Sequence, residues 1–326
     1  MMEQTAKAGI CSIKGVKIPK TIEIKESDKE IKLILDITNV MDKNMQMPGN
    51  AFEGWLFILK KLELGKKITL SLNGTLNNAE YLQKGHLCRF LYRVMKFEQQ
   101  YKWCNLSKEL SDEVRRFRNF LSSDRFTNNI GSDEAGRKTN HDEENAAEEW
   151  LASKKELKRV LKNVLDIGDN PVYRQLPVGL FKNTVCEKNR VFTGGKSAID
   201  LWTWNKNELN VVELKTKNRM IGIVTEIFFY SNYVYDLVVS EDGFDLNNDE
   251  EYLKKIQQKS GKSLRGYENL QNNRFNVVNG IMLADKDKDD DGYHPWVKSL
   301  IDTMNDNGDI AIKYYIGSYL YEEIRG

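Results

Sequence analysis

Apolar residues in the back half of the chain gather into short runs of strand length. VYRQLPVGLF (172–181), SAIDLWTW (197–204) and LNVVELKTK (209–217) follow one another with polar residues between them. Runs of this kind predict three strands of a meander. Ahead of them, EENAAEEWLASKKELKRVLKNVL (143–165) has helical spacing. Behind them, MIGIVTEIFFYSNYVYDLVV (220–239) is the most apolar stretch of the chain. Glu226, Asn232 and Asp236 interrupt it, which predicts a buried helix rather than a membrane span. A polar loop region (240–275) then leads to a strand (NVVNGIMLAD), a helix (HPWVKSLIDTMND) and a last strand (DIAIKYYIGSYLY). Helix, meander, helix, strand, helix, strand implies a mixed sheet flanked by helices, within the α/β (α+β) class.

The front of the chain also reads as α+β. TIEIKESDKEIKLILDIT (21–38) predicts two strands around a polar turn, and KKITLSLNG (66–74) a further strand closed by Asn-Gly. Leu87, Phe90, Leu91, Val94 and Met95 recur at helical spacing. That helix is expected to present Lys84, Arg89, Arg93 and Lys96 to solvent, as a charged face or as a surface for phosphate. Between front and back, SSDRFTNNIGSDEAGRKTNHDEEN (122–145) is polar and aperiodic. The expected division is a front domain at 1–126, a linker at 127–142 and a back domain at 143–326.

The chain has 326 residues and a net charge of +1, so no global basic field announces a polyanion partner. The charge is nevertheless uneven. Residues 1–126 carry 22 Lys and Arg against 15 Asp and Glu, and the remainder carries 27 against 33. A nucleic-acid or protein partner is therefore expected to lean on the front domain, or both surfaces are simply solvated. Cys11, Cys88, Cys104 and Cys186 have no paired spacing, which argues against structural zinc and for reduced thiols in the cytoplasm. The first residues hold no apolar core of signal-peptide length.

Chemistry concentrates in the meander. Glu213 and Lys215 lie two apart in an otherwise apolar run, so a strand directs both to one face. Asp200 lies in the preceding run, and a turn at Asn205–Asn207 pairs it with about residue 212. Carboxylates crowded in a half-buried site repel, and a divalent cation removes that cost. Few hard oxygen ligands suit Mg²⁺, and phosphodiester hydrolysis needs what such an ion and an adjacent ammonium supply.

Asp200 followed by VVELK resembles the PD-(D/E)XK nuclease superfamily, the restriction-endonuclease-like fold, over roughly residues 143–320. The resemblance implies that Asp200, Glu213 and the main-chain carbonyl of Leu214 hold Mg²⁺, with Mn²⁺ as a substitute, and that Lys215 assists catalysis. It also implies a Glu on the preceding helix, for which Glu144 is the choice and Glu143 and Glu149 are near alternatives. Relatives carry Gln-x-x-x-Tyr on the following helix. Here Glu226 and Tyr230 stand in that spacing, leaving open whether Glu226 orients Lys215, touches the metal or packs nearby. Ile199 stands where the family name has Pro. The implied activity is a metal-dependent endonuclease-type hydrolase acting on DNA, with RNA left open and no membrane partner. The rival is a nucleic-acid-binding or assembly protein that keeps the fold without cutting, through a homodimer or a protein partner of the front domain.

Other signals are weaker. DKDDDG (287–292) starts like a calcium loop, but Lys298 stands where the bidentate acid should be and Pro295 interrupts. GGKS (194–197) lacks the earlier Gly of a phosphate-binding loop and precedes a strand. Gln175, on the first strand of the meander, could reach the site or merely be satisfied by neighbours. His294, opening a helix, reads as a capping or surface residue.

Overall fold

A computed structural model describes residues 5–74, 76, 80–130, 143–193, 197–216, 221–260, 266–286 and 292–320. Most of the expected linker (131–142), most of GGKS (194–196) and most of DKDDDG (287–291) lie outside the described residues. The chain is of α/β class and divides into two units. The first comprises Met1–Ser123, Met220–Glu226 and Pro295–Ile310; the second comprises Asp124–Arg219, Ile227–His294 and Ala311–Gly326. The front segment of the first unit ends at Ser123, where the expected front domain ran to 126, and two later segments join that unit. Thr127–Ile130 of the expected linker are buried.

The first unit begins with α1 (Ala6–Ser12), β1 (Ile22–Glu26), β2 (Glu30–Leu35), α2 (Ile37–Asp42) and α3 (Phe52–Lys61). It continues with β3 (Lys67–Leu72), α4 (Gly85–Gln100), β4 (Cys104–Leu106) and α5 (Lys108–Ser122). The sheet order is β1-β2-β3-β4, with β1 antiparallel to β2 and the others parallel. The β1–β2 pair forms at the expected polar turn, where the Ser27 N–H reaches the Glu30 carbonyl at 2.8 Å. Helix α3 was not legible from periodicity, because Phe52 through Leu59 are all buried and leave no polar stripe.

The basic face of α4 overturns an expectation. Lys84 is exposed, but Arg89, Arg93 and Lys96 are buried. Arg93 grips Glu53 of α3 with two nitrogens, at 2.7 and 2.6 Å, and also donates to the Asn50 carbonyl. Arg89 donates to Asn44, and the Lys96 ammonium sits over the Tyr92 ring. Thr225 adds a hydroxyl to Glu53 at 3.0 Å. These cations satisfy interior oxygens and aromatic faces, so they do not form a phosphate-binding surface.

The second unit opens with β5 (Phe126–Asn128), α6 (Glu143–Leu151) and α7 (Lys154–Leu161). The single helix expected over 143–165 is two, because the chain restarts at Ser153, an extended residue at the N-terminus of α7. Strands β6 (Tyr173–Pro177), β7 (Leu180–Lys182) and β8 (Arg190–Phe192) follow, then β9 (Ala198–Asn205), β10 (Glu208–Lys215) and α8 (Val224–Val238). The run VYRQLPVGLF also splits. Pro177 ends β6, and a Cβ on Gly179 would stand 2.4 Å from the Thr193 carbonyl oxygen. Beyond that close approach, β7 joins β5 and β8 in a separate three-stranded sheet.

The polar region 240–275 contains α9 (Glu250–Ser260) and α10 (Tyr267–Asn272), where a loop was expected. Helix α9 is mostly polar, with Tyr252, Leu253 and Ile256 half-buried on one face, and carries Glu250–Lys254 and Glu251–Lys255 pairs one turn apart. Strand β11 (Val277–Lys286), α11 (Pro295–Met304, in the first unit) and β12 (Ile312–Leu320) complete the chain.

The main sheet of the second unit has the order β12-β11-β10-β9-β6. Strands β6, β9 and β10 form the antiparallel meander, and β11 and β12 run parallel to β10. Leu201, Val212, Leu214, Ile281, Leu283 and Tyr319 meet Ala147, Leu151, Leu157 and Leu161 of α6 and α7 in one buried core. The opposite face receives α8. Gly280 of β11 lets it approach, since a Cβ there would stand 2.1 Å from the Ser231 hydroxyl.

The Arg93–Glu53 pair of the first unit is buried on both sides and therefore sensitive to loss of either partner. Replacing Arg93 by Met strands a buried carboxylate and is expected to cost about 3–5 kcal/mol in urea unfolding. The Arg93→Met, Glu53→Leu double variant should recover most of that loss.

Candidate active site

The site forms where β9 and β10 part. Their pairing runs from Glu208↔Asn205 to Val212↔Leu201, which leaves Asp200 and Glu213 at the next step. The register is one residue further on than the turn position predicted. There the side chain of Asp200 takes over from the ladder: its Oδ2 accepts the N–H of Leu214 at 2.8 Å. Glu213 and Lys215 alternate with the core residues Val212 and Leu214. Both are buried, and the Lys215 ammonium lies 2.6 Å from Glu213 Oε1.

Burial pushes the Asp200 carboxyl up to about 8. The nearby Lys215 charge and the Leu214 N–H oppose that rise, and the charges of Glu144 and Glu148 add to it. Asp200 is therefore a desolvated acid held between one cation and two further carboxylates. Its ionised form is stabilised too little by Lys215 alone.

Of the residues expected at the site, Asp200, Glu213, Leu214 and Lys215 come together. Glu144 is exposed on α6, and its charge is felt by Asp200. Glu143 is half-buried and Glu149 exposed. Tyr230 is buried, with its hydroxyl 3.1 Å from that of Ser197, three residues before Asp200. Glu226 groups with the first unit, where its carboxylate accepts a hydrogen bond from Gln46. Gln175 donates to Glu148 at 2.8 Å.

Glu148, Arg174 and Tyr319, none of them singled out in the sequence, belong to this neighbourhood. Glu148 is 3% exposed and also accepts from Arg174 Nε at 2.8 Å. Tyr319 of β12 has its hydroxyl 3.5 Å from that of Thr216. Burial raises its phenol well above the usual range, and the charges of Asp285, Glu144 and Asp200 add to the rise. Only the pairing of distant strands brings Tyr319 here, so no local spacing could have marked it.

Among the described residues no group of three or more His, Cys, Asp or Glu side chains is arranged to hold a metal ion. Two carboxylates and one main-chain carbonyl fall short of that count. They fit a small hard cation that keeps most of its ligands as water, and the crowding around Asp200 is of the sign that such a cation would relieve. No protein-family model matches the chain, and no curated protein or solved structure matches it either. Among the described residues no helix is long and apolar enough to cross a membrane. All four cysteines are free thiols.

If Asp200 is an acid held against its neighbours, Asp200→Asn should raise the melting temperature of the metal-free protein by several degrees. The amide keeps an acceptor for the Leu214 N–H and removes the charge. A lower melting temperature in calorimetry would show that the carboxylate stabilises the fold instead.

Proposed function

We propose that the second unit is a metal-dependent nuclease that hydrolyses phosphodiester bonds in DNA, with RNA as the other substrate the residues admit. The observation that carries this reading is the junction of β9 and β10. One ammonium, that of Lys215, is paired with Glu213 and also acts on Asp200, while Asp200 is tied to the main chain between them. Asp200, Glu213 and the Leu214 carbonyl would hold Mg²⁺, or Mn²⁺ in its place. When bound, the ion lowers the pKa of water and offsets charge on the phosphoryl oxygens.

The protein's own groups would do the rest. The Leu214 N–H fixes the Asp200 carboxylate and limits its rotation. Lys215, held by Glu213, presents a cation for a phosphoryl oxygen or for the attacking water. Burial around β10 excludes bulk water and strengthens both interactions. Four free thiols fit a reducing, cytoplasmic setting.

Helix α7 offers a place for the nucleic-acid backbone. Lys154, Lys155, Lys158, Arg159 and the adjoining Lys162 are all exposed, within a back half that is net acidic. Lys154 and Lys158 share Asp169, and Arg159 pairs with Glu156. Lys155 and Lys162 point positive charge at solvent along the helix, and exposed charge of this sign attracts phosphate.

Purified protein should cleave linear, circular or single-stranded DNA in Mg²⁺ and lose that activity in chelator. Asp200→Ala, Glu213→Ala and Lys215→Ala should each lower the rate by at least about 100-fold. Absence of cleavage by the wild type on all three substrates would favour the rival, a binding or assembly protein with this fold. Separately, the Lys155→Ala, Lys162→Ala double variant should weaken duplex binding and reduce its salt slope by about 2, with cleavage at saturating DNA little changed. An unaltered slope would remove α7 from the interface.

A further inference from the structure

Arg174 and Gln175 are neighbours on β6, and on a regular strand their side chains would leave opposite faces. Both reach the same carboxylate instead. Arg174 Nε donates to Glu148 Oε1 and Gln175 Nε2 to Glu148 Oε2, each at 2.8 Å. The backbone explains how: Gln175 has φ +57°, in the left-handed region that non-glycine residues rarely adopt.

The location of that strain is informative. Glu63, Gln83, Asn183, Thr193 and Lys206 also have positive φ, and all five lie in connections between elements. Among the described residues with positive φ, Gln175 is the only non-glycine inside a strand. No extra residue accounts for it: the β6–β9 register is the same at Arg174↔Leu201 and at Leu176↔Ile199, and the pairing skips only the step between them. The residue facing Gln175 across that register is Asp200. Strain kept inside a strand and opposite a half-buried acid suggests a task.

We propose that Arg174, Gln175 and Glu148 form a strained clamp that positions the carboxylates of α6 against Asp200. Glu148 and Gln175 are positioning residues in this account, and neither is a metal ligand. Glu144 lies one turn before Glu148 on α6, so fixing the second fixes the first. The charges of Glu144 and Glu148 act unfavourably on Asp200, so α6 has to be held where it is by other contacts. Two hydrogen bonds to a buried carboxylate, one of them from a guanidinium, hold the helix in place. The functional consequence rests on the reading of Asp200 as a metal-binding acid, whereas the mechanical part does not.

The test has two arms, each using the full chain. In the first, Gln175→Gly and Asp200→Asn are combined in a double-mutant cycle of stability in metal-free buffer at about pH 9, where Asp200 is ionised. Glycine adopts the positive φ without strain and removes the amide donor. Cutting the clamp lets α6 retreat from a charged Asp200. Gln175→Gly should therefore cost less stability in the wild-type background than in the Asp200→Asn background. Strict additivity would overturn the clamp, whether or not the protein cleaves anything.

In the second arm, calorimetric titration with Mn²⁺ should show about 10-fold weaker binding for Gln175→Gly. Cleavage should then need more metal for half-saturation, with the rate at saturating metal close to wild type. Unchanged Mn²⁺ affinity in an active variant would overturn the clamp and leave the nuclease reading standing. A non-additive cycle in a protein that neither binds Mn²⁺ nor cleaves would do the reverse.

Discussion

The carboxylate of Asp200 accepts a main-chain N–H where the β9–β10 ladder has run out, and the rest of the second unit is built around that bond. A half-buried acid in this position is poorly solvated, and desolvation with its acidic neighbours moves its ionisation up to about 8. The fold therefore holds a group in a state it would not choose in water. Lys215 offsets part of the cost from β10, and Arg174 neutralises part of the surrounding negative charge through Glu148. Two parted strands, one ammonium and one guanidinium surround these carboxylates, an arrangement that costs stability in the absence of a further cation.

The two units use basic residues in opposite ways. In the first, α4 turns Arg89, Arg93 and Lys96 inward to oxygens and rings, so an excess of positive charge in the front half does not become a positive surface there. In the second, a stretch with net negative charge carries an exposed cationic helix, α7. Net charge counts residues, whereas a polyanion meets only those that reach solvent.

Much of the fold was legible because its strands are short apolar runs bounded by polar turns. The meander, the two parallel strands after it and the buried helix α8 all follow from that pattern. What escaped had a physical reason in each case. Helix α3 is buried on every side from Phe52 to Leu59, and α9 has only Tyr252, Leu253 and Ile256 as a short apolar stripe within a polar stretch, so neither stands out as an amphipathic helix. The split of 172–181 depends on how near Gly179 lies to Thr193, a tertiary contact. At the site, Asp200, Glu213 and Lys215 were readable because strand alternation and one hairpin relate them. Glu148, Arg174 and Tyr319 were not. A left-handed residue breaks the alternation at Gln175, and Tyr319 reaches the site through the register of a distant strand.

The central claim is that Asp200 and Glu213 are held for a shared divalent ion. Magnesium titration of the protein with ¹³C-labelled Asp and Glu carboxyls tests it without any substrate. The account predicts that the Asp200 and Glu213 resonances shift together, along one binding curve, and that Lys215→Ala leaves both responsive. Resonances that stay in place through millimolar Mg²⁺, or that follow two unrelated curves, would contradict it.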